Sequence, residues 1–495
     1  MKVKKHHKSN YILLFIIIAV IATVGIIFIY PQVGVADQGD FDRVMASSGL
    51  SLLDSDNSNP NFIRFYKYIV TDYKISGLNN PLVLFISSSI SYIIMFISFI
   101  CKLLGIYVFK TQYLAAAYSI LYILAFSIIL KSIGIKDNAK FILLGLLILF
   151  IFFDGNYLIW FNSLYGEPMM LVTLLLFIAS IMHYTYYKYV TKGTEKLFSR
   201  IVYILLAAFL FLGSKLQVSM TLPFILILLI KIILDNKRLL TKNNLIFLSS
   251  LLCFVVIYPI GINIASNGLS KDTQYNSVFY GVLNGSETPR QDLIDLGLNP
   301  DMAVEAGKHA YLDTSDYVKY IPRTEITDEE FYSKIGNGKL AKFYLTHPTR
   351  LIKGMEYTAS KSFYTSTSLG KYYQSYSEVP VTSFDRFTVW SSFRENILPK
   401  NLLFILSVYL IVFLFSLYKF VTNRFNPIIK IRVFLLWCVM LIGGIQFPMP
   451  FVGNGQADTA KQLFLFNFIF DGLIVLILSY VLFKITDFIR IKIKK

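Results

Sequence analysis

Residues 11–30 read YILLFIIIAVIATVGIIFIY, and residues 31–43 continue PQVGVADQGDFDR. The first run holds no charged residue and has the roughly 20-residue length that an α-helix needs to cross about 30 Å of hydrocarbon. It stops at Pro31, where the chain turns polar and acidic. Before it, Met1–Asn10 is basic through Lys2, Lys4, Lys5 and Lys8. That start, with the small-residue triplet Gly34-Val35-Ala36, has the outline of a secretory signal. The apolar run, however, outlasts the roughly 7–15 residues of a signal core. It reads as a retained first helix with its N-terminus in the cytoplasm.

The same pattern recurs outward from this stretch. Apolar segments span Pro81–Cys101, Thr111–Leu130, Lys140–Phe153, Met169–Tyr187, Ile201–Gly213, Ser219–Ile233, Leu245–Asn263, Asn401–Phe420, Val433–Phe447 and Leu463–Phe483. Only 16% of the 495 residues are charged and 55% are hydrophobic, against about a quarter charged in soluble chains. A water-soluble protein is excluded. The net charge of +17 gathers at the ends of apolar segments instead of on one polar face, which is the footprint of membrane orientation and not of nucleic-acid binding. Cys101, Cys253 and Cys438 fall inside apolar stretches and read as small buried hydrophobes, with no disulfide or metal-ligand spacing.

Loop charge sets the topology. If all of these segments crossed, the basic loops Lys131–Lys140 and Lys188–Arg200 would face outward, against the positive-inside rule. Letting Pro81–Cys101 enter the membrane without a net crossing moves both inside. It also moves inside the Lys231–Lys242 loop, the Lys419–Arg432 loop and the tail from Lys484 to Lys495. The expected architecture is an all-α polytopic membrane protein with about ten spanning helices, one interfacial or re-entrant segment, and both termini cytoplasmic. Residues 1–263 form an N-terminal transmembrane module with a first outer loop at 31–80. Residues 264–400 form an extracytoplasmic, mainly α domain, and residues 401–495 hold the last helices and the basic tail. Within the outer domain, Thr327-Asp328-Glu329-Glu330 reads as a helix cap and first turn, followed by an amphipathic helix over Phe331–Leu345 that ends before His347-Pro348. Asp154–Glu167 is expected as a short outward loop free of Lys and Arg.

Four polar clusters then share the outer face. They are Asp37-Gln38-Gly39-Asp40-Phe41-Asp42-Arg43, Asn162-Ser163-Leu164-Tyr165-Gly166-Glu167-Pro168, Gly213-Ser214-Lys215-Leu216-Gln217 and Gly453–Lys461. Carboxylates at a membrane boundary can deprotonate a hydroxyl nucleophile, and Lys or Arg can hold a lipid phosphate leaving group. Any one cluster reads equally as a solvated loop; four on one face point to a site. Asp40 and Asp42 form an Asp-x-Asp pair that invites a divalent cation, yet two carboxylates are too few ligands to define a metal site. Asp471 lies inside the last helix, where an acid is a functional candidate by default, or else a partner for a neighbouring helix.

Taken together, Gly39-Asp40-Phe41-x-Arg43 after a first helix and Tyr165-Gly166-Glu167-Pro168 opening a later one resemble integral-membrane glycosyltransferases of the GT-C class. Gly213–Gln217, Asn276-Ser277-Val278-Phe279-Tyr280-Gly281, His347-Pro348 and Gly455–Lys461 resemble bacterial glycan-biosynthesis hexosyltransferases of the WsfD type. The resemblance implies inverting transfer of a hexose from a polyprenyl-phosphate-linked donor to a glycan or cell-surface polymer acceptor outside the cytoplasmic membrane. It implies Asp40 as general base and Glu167 as the second acidic position. Asp458 is the acid of the fourth motif, since Gln456 stands where an acid would be expected. Arg43, Lys215, Gln217 and Lys461 would bind the lipid phosphate or the sugar, with Asp42 and Asp471 as secondary candidates. No cofactor is required by these motifs. Two rival readings share the composition. One is a lipid-linked-glycan flippase or transporter, which would place its groups near the midplane between related halves; the other is an O-antigen-type polymerase or ligase, which would cluster arginines in the outer loops.

Overall fold

The computed structural model describes residues 2–78, 80–266 and 271–493. Lys494 and Lys495 of the basic tail lie outside them. Every apolar segment read from the sequence is helical: Lys2–Thr23, Ile90–Leu103, Thr111–Ile133, Asn138–Phe152, Gly166–Tyr189, Leu197–Leu212, Leu222–Leu234, Lys242–Ser266, Leu402–Thr422, Pro427–Gln446 and Phe464–Ile493. Among the described residues seven helices are long and apolar enough to cross a membrane, or eight if the pair Asn138–Phe152 and Gly155–Phe161, bent by 58°, counts as one span. Ile90–Leu103, Leu197–Leu212 and Leu222–Leu234 are apolar but shorter.

These helices are apolar on both faces. Leu402–Thr422 buries Leu402, Ile405, Val408 and Val412, while Leu403, Leu406, Leu410 and Leu414 point outward. An apolar face directed outward is what lipid-facing helices present. Gly166–Tyr189 lies at the centre, with most of its side chains buried between Thr111–Ile133 and Leu197–Leu212. Cys101 and Cys438 are buried as expected, but Cys253 is exposed on the outward face of Lys242–Ser266; its apolar surroundings there would be lipid, not protein core.

A small antiparallel sheet decides how Pro81–Cys101 is threaded. β1 (Leu50–Leu52) and β2 (Asp72–Ile75) come from the first outer loop, and β3 (Val108–Lys110) follows the apolar segment. β2 pairs with both neighbours, Tyr73 facing Leu52 on one side and Phe109 on the other. Strands about 4.8 Å apart bring the two ends of this segment, β2 and β3, side by side. The segment itself is a 3-10 turn, Pro81–Ile86, and the 14-residue helix Ile90–Leu103, which rises only roughly 21 Å.

Two local readings are corrected. The helix expected over Phe331–Leu345 is broken: a π-turn occupies Asp328–Tyr332, and the regular helix is Asn337–Thr346. Gly336 stands at the break, in the cap position of the second helix, and the Thr327 hydroxyl donates to the Ile321 carbonyl (2.7 Å) instead of capping. Asp154–Glu167 is not a solvated loop. Residues 154–165 are all buried, covered by the 264–400 segment at Gly155, whose N–H donates to the Phe387 carbonyl (2.9 Å). A Cβ at Gly155 would stand 2.0 Å from the Arg386 carbonyl oxygen, so glycine is required there.

Candidate functional site

The first outer loop leaves the first helix as an extended strand clamped on both sides. Gly34 and Ala36 donate their N–H groups to the carbonyls of Lys371 and Gly370, both 3.0 Å. Asn162, of the second polar cluster, donates to the Val33 carbonyl (2.6 Å) and accepts from Thr111 (2.6 Å). The chain then turns at Gly39, whose φ of +102° suits glycine. Asp37 Oδ1 accepts from the N–H groups of Gly39 (2.7 Å) and Phe41 (3.2 Å) and so caps the helix Phe41–Ser48. This frees the Asp40 side chain, which makes no cap bond although it occupies the cap position.

Asp40 is therefore aimed into a charged cluster. Its Oδ2 accepts from Lys461 Nζ (2.6 Å) and its Oδ1 pairs with Arg43, one helical turn on. Burial alone would raise its pKa, but Lys461, Lys215 and Arg43 outweigh burial and hold the carboxyl well below the usual carboxylate range. Burial likewise disfavours the Lys461 ammonium, and Asp40 and Glu167 more than offset it, leaving that pKa raised. Lys461 Nζ also stands 5.0 Å over the Tyr165 ring and 3.4 Å from Gln38 Oε1. Gln38 Nε2 donates to Asp458 Oδ1 (2.8 Å).

Glu167 joins from the first turn of Gly166–Tyr189. It is fully buried, and its Oε1 accepts from Lys215 Nζ (2.5 Å), while Oε2 has no protein partner among the described residues. Lys215 follows a turn braced from the serine-bearing segment 87–91. Ser88 donates to the Ser214 carbonyl (2.6 Å) and Ser89 to the Leu210 carbonyl (2.7 Å). The Ser47 and Ser91 hydroxyls, 2.7 Å apart, join the same segment to the Asp40 helix. The fourth cluster is shaped by Gly455 (φ +59°), where a Cβ would lie 2.3 Å from the Asn276 carbonyl oxygen. Asn276 Nδ2 donates to Asn454 Oδ1 (2.9 Å), so the outer-domain string Asn276–Gly281 docks on the loop that carries Lys461.

All four sequence clusters thus contribute, with Asp40, Arg43, Glu167, Lys215, Asp458 and Lys461 in one network. Gln217 stands beside it: its Nε2 donates to the Gln462 carbonyl (3.3 Å) and steadies the turn next to Lys461. Asp42 does not face the Asp40 partners; it pairs with Arg64, which also lies 3.6 Å from Asp37. The Asp-x-Asp carboxylates are thereby divided between different cations, and among the described residues no group of three or more His, Cys, Asp or Glu is placed to hold a metal. Asp471 belongs elsewhere. Its Oδ2 is shared by Arg394 Nη1 (2.6 Å), the Tyr157 hydroxyl (2.7 Å) and Trp390 Nε1 (3.0 Å), all buried. Gln38 and Tyr165 stand within the sequence clusters without an assigned role, and Ser88, Ser89 and Arg64 are not singled out by the sequence. Only the serine run at 87–91, unusual inside an apolar segment, offered a signal.

A family model described as YfdI N-terminal transmembrane domain matches residues 1–495, and the chain belongs to that family. No curated protein and no solved structure matches it. Family and helices together make this a polytopic, all-α membrane protein whose surroundings are a lipid bilayer.

Proposed function

We propose that this member of the YfdI N-terminal transmembrane domain family is a GT-C-type glycosyltransferase of the cytoplasmic membrane. It moves a hexose from a polyprenyl-phosphate-linked donor to an extracytoplasmic glycan, with inversion. The observation that carries the reading is the meeting of four chain-distant segments around Asp40, which sets a carboxylate beside Lys461, Arg43 and the Lys215–Glu167 pair. A transferase using a lipid phosphate needs that combination: a base for the acceptor hydroxyl and cations for the departing phosphate.

In this mechanism Asp40 takes the proton of the acceptor hydroxyl as its oxygen bonds to the anomeric carbon. The bond from that carbon to the phosphate oxygen breaks, and the polyprenyl phosphate leaves with its added charge held by Lys461, Lys215 and Arg43. In the free protein two of those cations occupy both oxygens of Asp40. A bound phosphate draws them away, so that the carboxylate becomes more basic when the acceptor needs it. Glu167 orients Lys215, and Asp458 acts through Gln38. The topology proposed with this chemistry has about ten crossings, the segment 81–101 re-entrant, the site outside and both termini inside.

The test is the glycan profile of cells carrying Asp40→Asn in place of the native chain, with membrane levels measured alongside. Loss of a surface hexose at normal protein level is expected. A wild-type glycan removes Asp40 as base and the transferase reading with it.

A further inference from the structure

A second polar cavity lies in the outer domain, away from Asp40. It encloses about 90 Å³ between the helix Pro348–Ser360, the segment 281–285 and the loop of Phe451 and Gln456. A water takes up about 30 Å³ of liquid, so there is room for one small polar substituent and not for a whole sugar ring. Its lining is unevenly satisfied. Arg350 makes all of its hydrogen bonds through Nη2, to Asp292 (2.8 and 3.1 Å), Ser286 (2.8 Å) and Thr288 (3.4 Å). Its Nε–H and Nη1–H donors have no protein partner among the described residues. Lys353, one turn along the same helix, is exposed and makes no ion pair among them. The Tyr344 residue is 3% exposed, and its hydroxyl is buried without a hydrogen-bond partner. An orphaned buried hydroxyl costs free energy unless something fills the site.

Asp292 neutralises one of the two cations, so the lining keeps a net positive charge with a planar fork, an ammonium and a phenol as donors. Asn284 and Gln456 also line the cavity and add amide groups that can donate; together with the two cations this donor set suits a phosphate or a carboxylate. The cavity also adjoins the Asp40 network. The Gln456 N–H donates to the Tyr280 carbonyl (3.3 Å), and the Tyr357 hydroxyl donates to the Gln456 carbonyl (3.1 Å) and stands beside Thr459. Gln456 precedes Lys461 by five residues, which limits their separation to about 18 Å.

We infer that this cavity is a subsite for an anionic substituent of the acceptor glycan, a phosphate or a uronate carboxylate, held by Arg350, Lys353 and Tyr344 while a neighbouring sugar reaches Asp40. That the anion belongs to an acceptor rests on the transferase reading; that the cavity binds an anion does not. The experiment is calorimetric titration of the full chain in lipid nanodiscs with inorganic phosphate and, separately, with glucuronate. Saturable binding of one probe is expected, weakened about tenfold in Lys353→Ala and in Tyr344→Phe and retained in Lys461→Ala. The probe that binds tighter identifies the source of the charge. Binding of neither probe, or binding lost in Lys461→Ala but untouched by Lys353→Ala and Tyr344→Phe, overturns the subsite. Because binding is read without turnover, a wild-type glycan in Asp40→Asn cells removes the transferase and leaves this result standing. Loss of the hexose with no anion binding removes the subsite alone.

Discussion

Asp40 is half-buried among cations, and its protonation is the property on which the proposed chemistry turns. Its pKa is depressed, so the carboxylate stays charged and paired at neutral pH, and the pairing is lost only as pH falls through that depressed value. Replacing Lys461 with Met removes the largest of the charges holding it down and leaves burial opposed mainly by Lys215 and Arg43. The acid limb of kcat/KM should then move to higher pH, by about one unit or more. An acid limb that stays in place would show that another group titrates there. Glu167→Gln weakens the hold on Lys215 without emptying its site. It should raise the apparent donor KM several-fold and change kcat little, and equal losses in both would move Glu167 into the chemistry itself. At this scale much of the site was legible, because acids and bases at the outer ends of apolar runs are costly unless they are used. Partners that carry no charge were not legible. Tyr165 under Lys461 and Gln38 bridging Lys461 and Asp458 look in the sequence like ordinary interface residues.

The segment 81–103 shows what an element contributes beyond its hydropathy. The Ser88 hydroxyl donates to the Ser214 carbonyl and the Ser89 N–H to the Gly213 carbonyl, and Ser91 reaches Ser47 on the Asp40 helix, so one short segment braces two sources of the charged cluster. Loop charge leads to the expectation that Pro81–Cys101 does not cross, and the pairing of β2 with β3 brings the two ends of the segment side by side. The three-residue strand Val108–Lys110 was invisible in the sequence, since so short a run carries no alternation to read. Its consequence can be tested with cysteines introduced at Ser58, Tyr107 and Lys136 in a Cys253→Ser background, all three positions being exposed. A thiol reagent confined to the outside should label Ser58→Cys and Tyr107→Cys and spare Lys136→Cys. Labelling of Ser58→Cys and Lys136→Cys without Tyr107→Cys would restore the segment as a full span. The broken helix near Gly336 is the opposite case, where amphipathic spacing reads as one helix and the chain breaks at that glycine.

Across the whole molecule the outer domain and the membrane helices are joined by a buried ion pair, and this joint explains Asp471. Arg394, on the outer-domain helix Val389–Ile397, is fully buried and spends its guanidinium on Asp471, the Tyr157 hydroxyl (2.5 Å), the Phe363 carbonyl (2.9 Å) and Thr365 (2.6 Å). The partners stand 77 residues apart in the chain, so no local pattern could have joined them, and an acid alone in an apolar helix was bound to look functional. Two buried charges gain little net stability from each other, because desolvation offsets most of their attraction. Removing one is another matter, since it strands its partner in a medium that cannot solvate it. Asp471→Asn should therefore destabilise the folded chain by about 3–5 kcal/mol, seen as a clear fall in Tm in detergent and in membrane level in cells. The double change Asp471→Leu with Arg394→Leu should recover much of that loss, because the stranded charge goes with its partner. Recovery would mark the pair as the hinge pin that holds the outer domain, with its Asn276 string and Gly455 contact, against the Asp40 network. If Asp471→Asn instead kept its Tm and membrane level while surface glycan transfer stopped, the acid would belong to the reaction path and not to the joint.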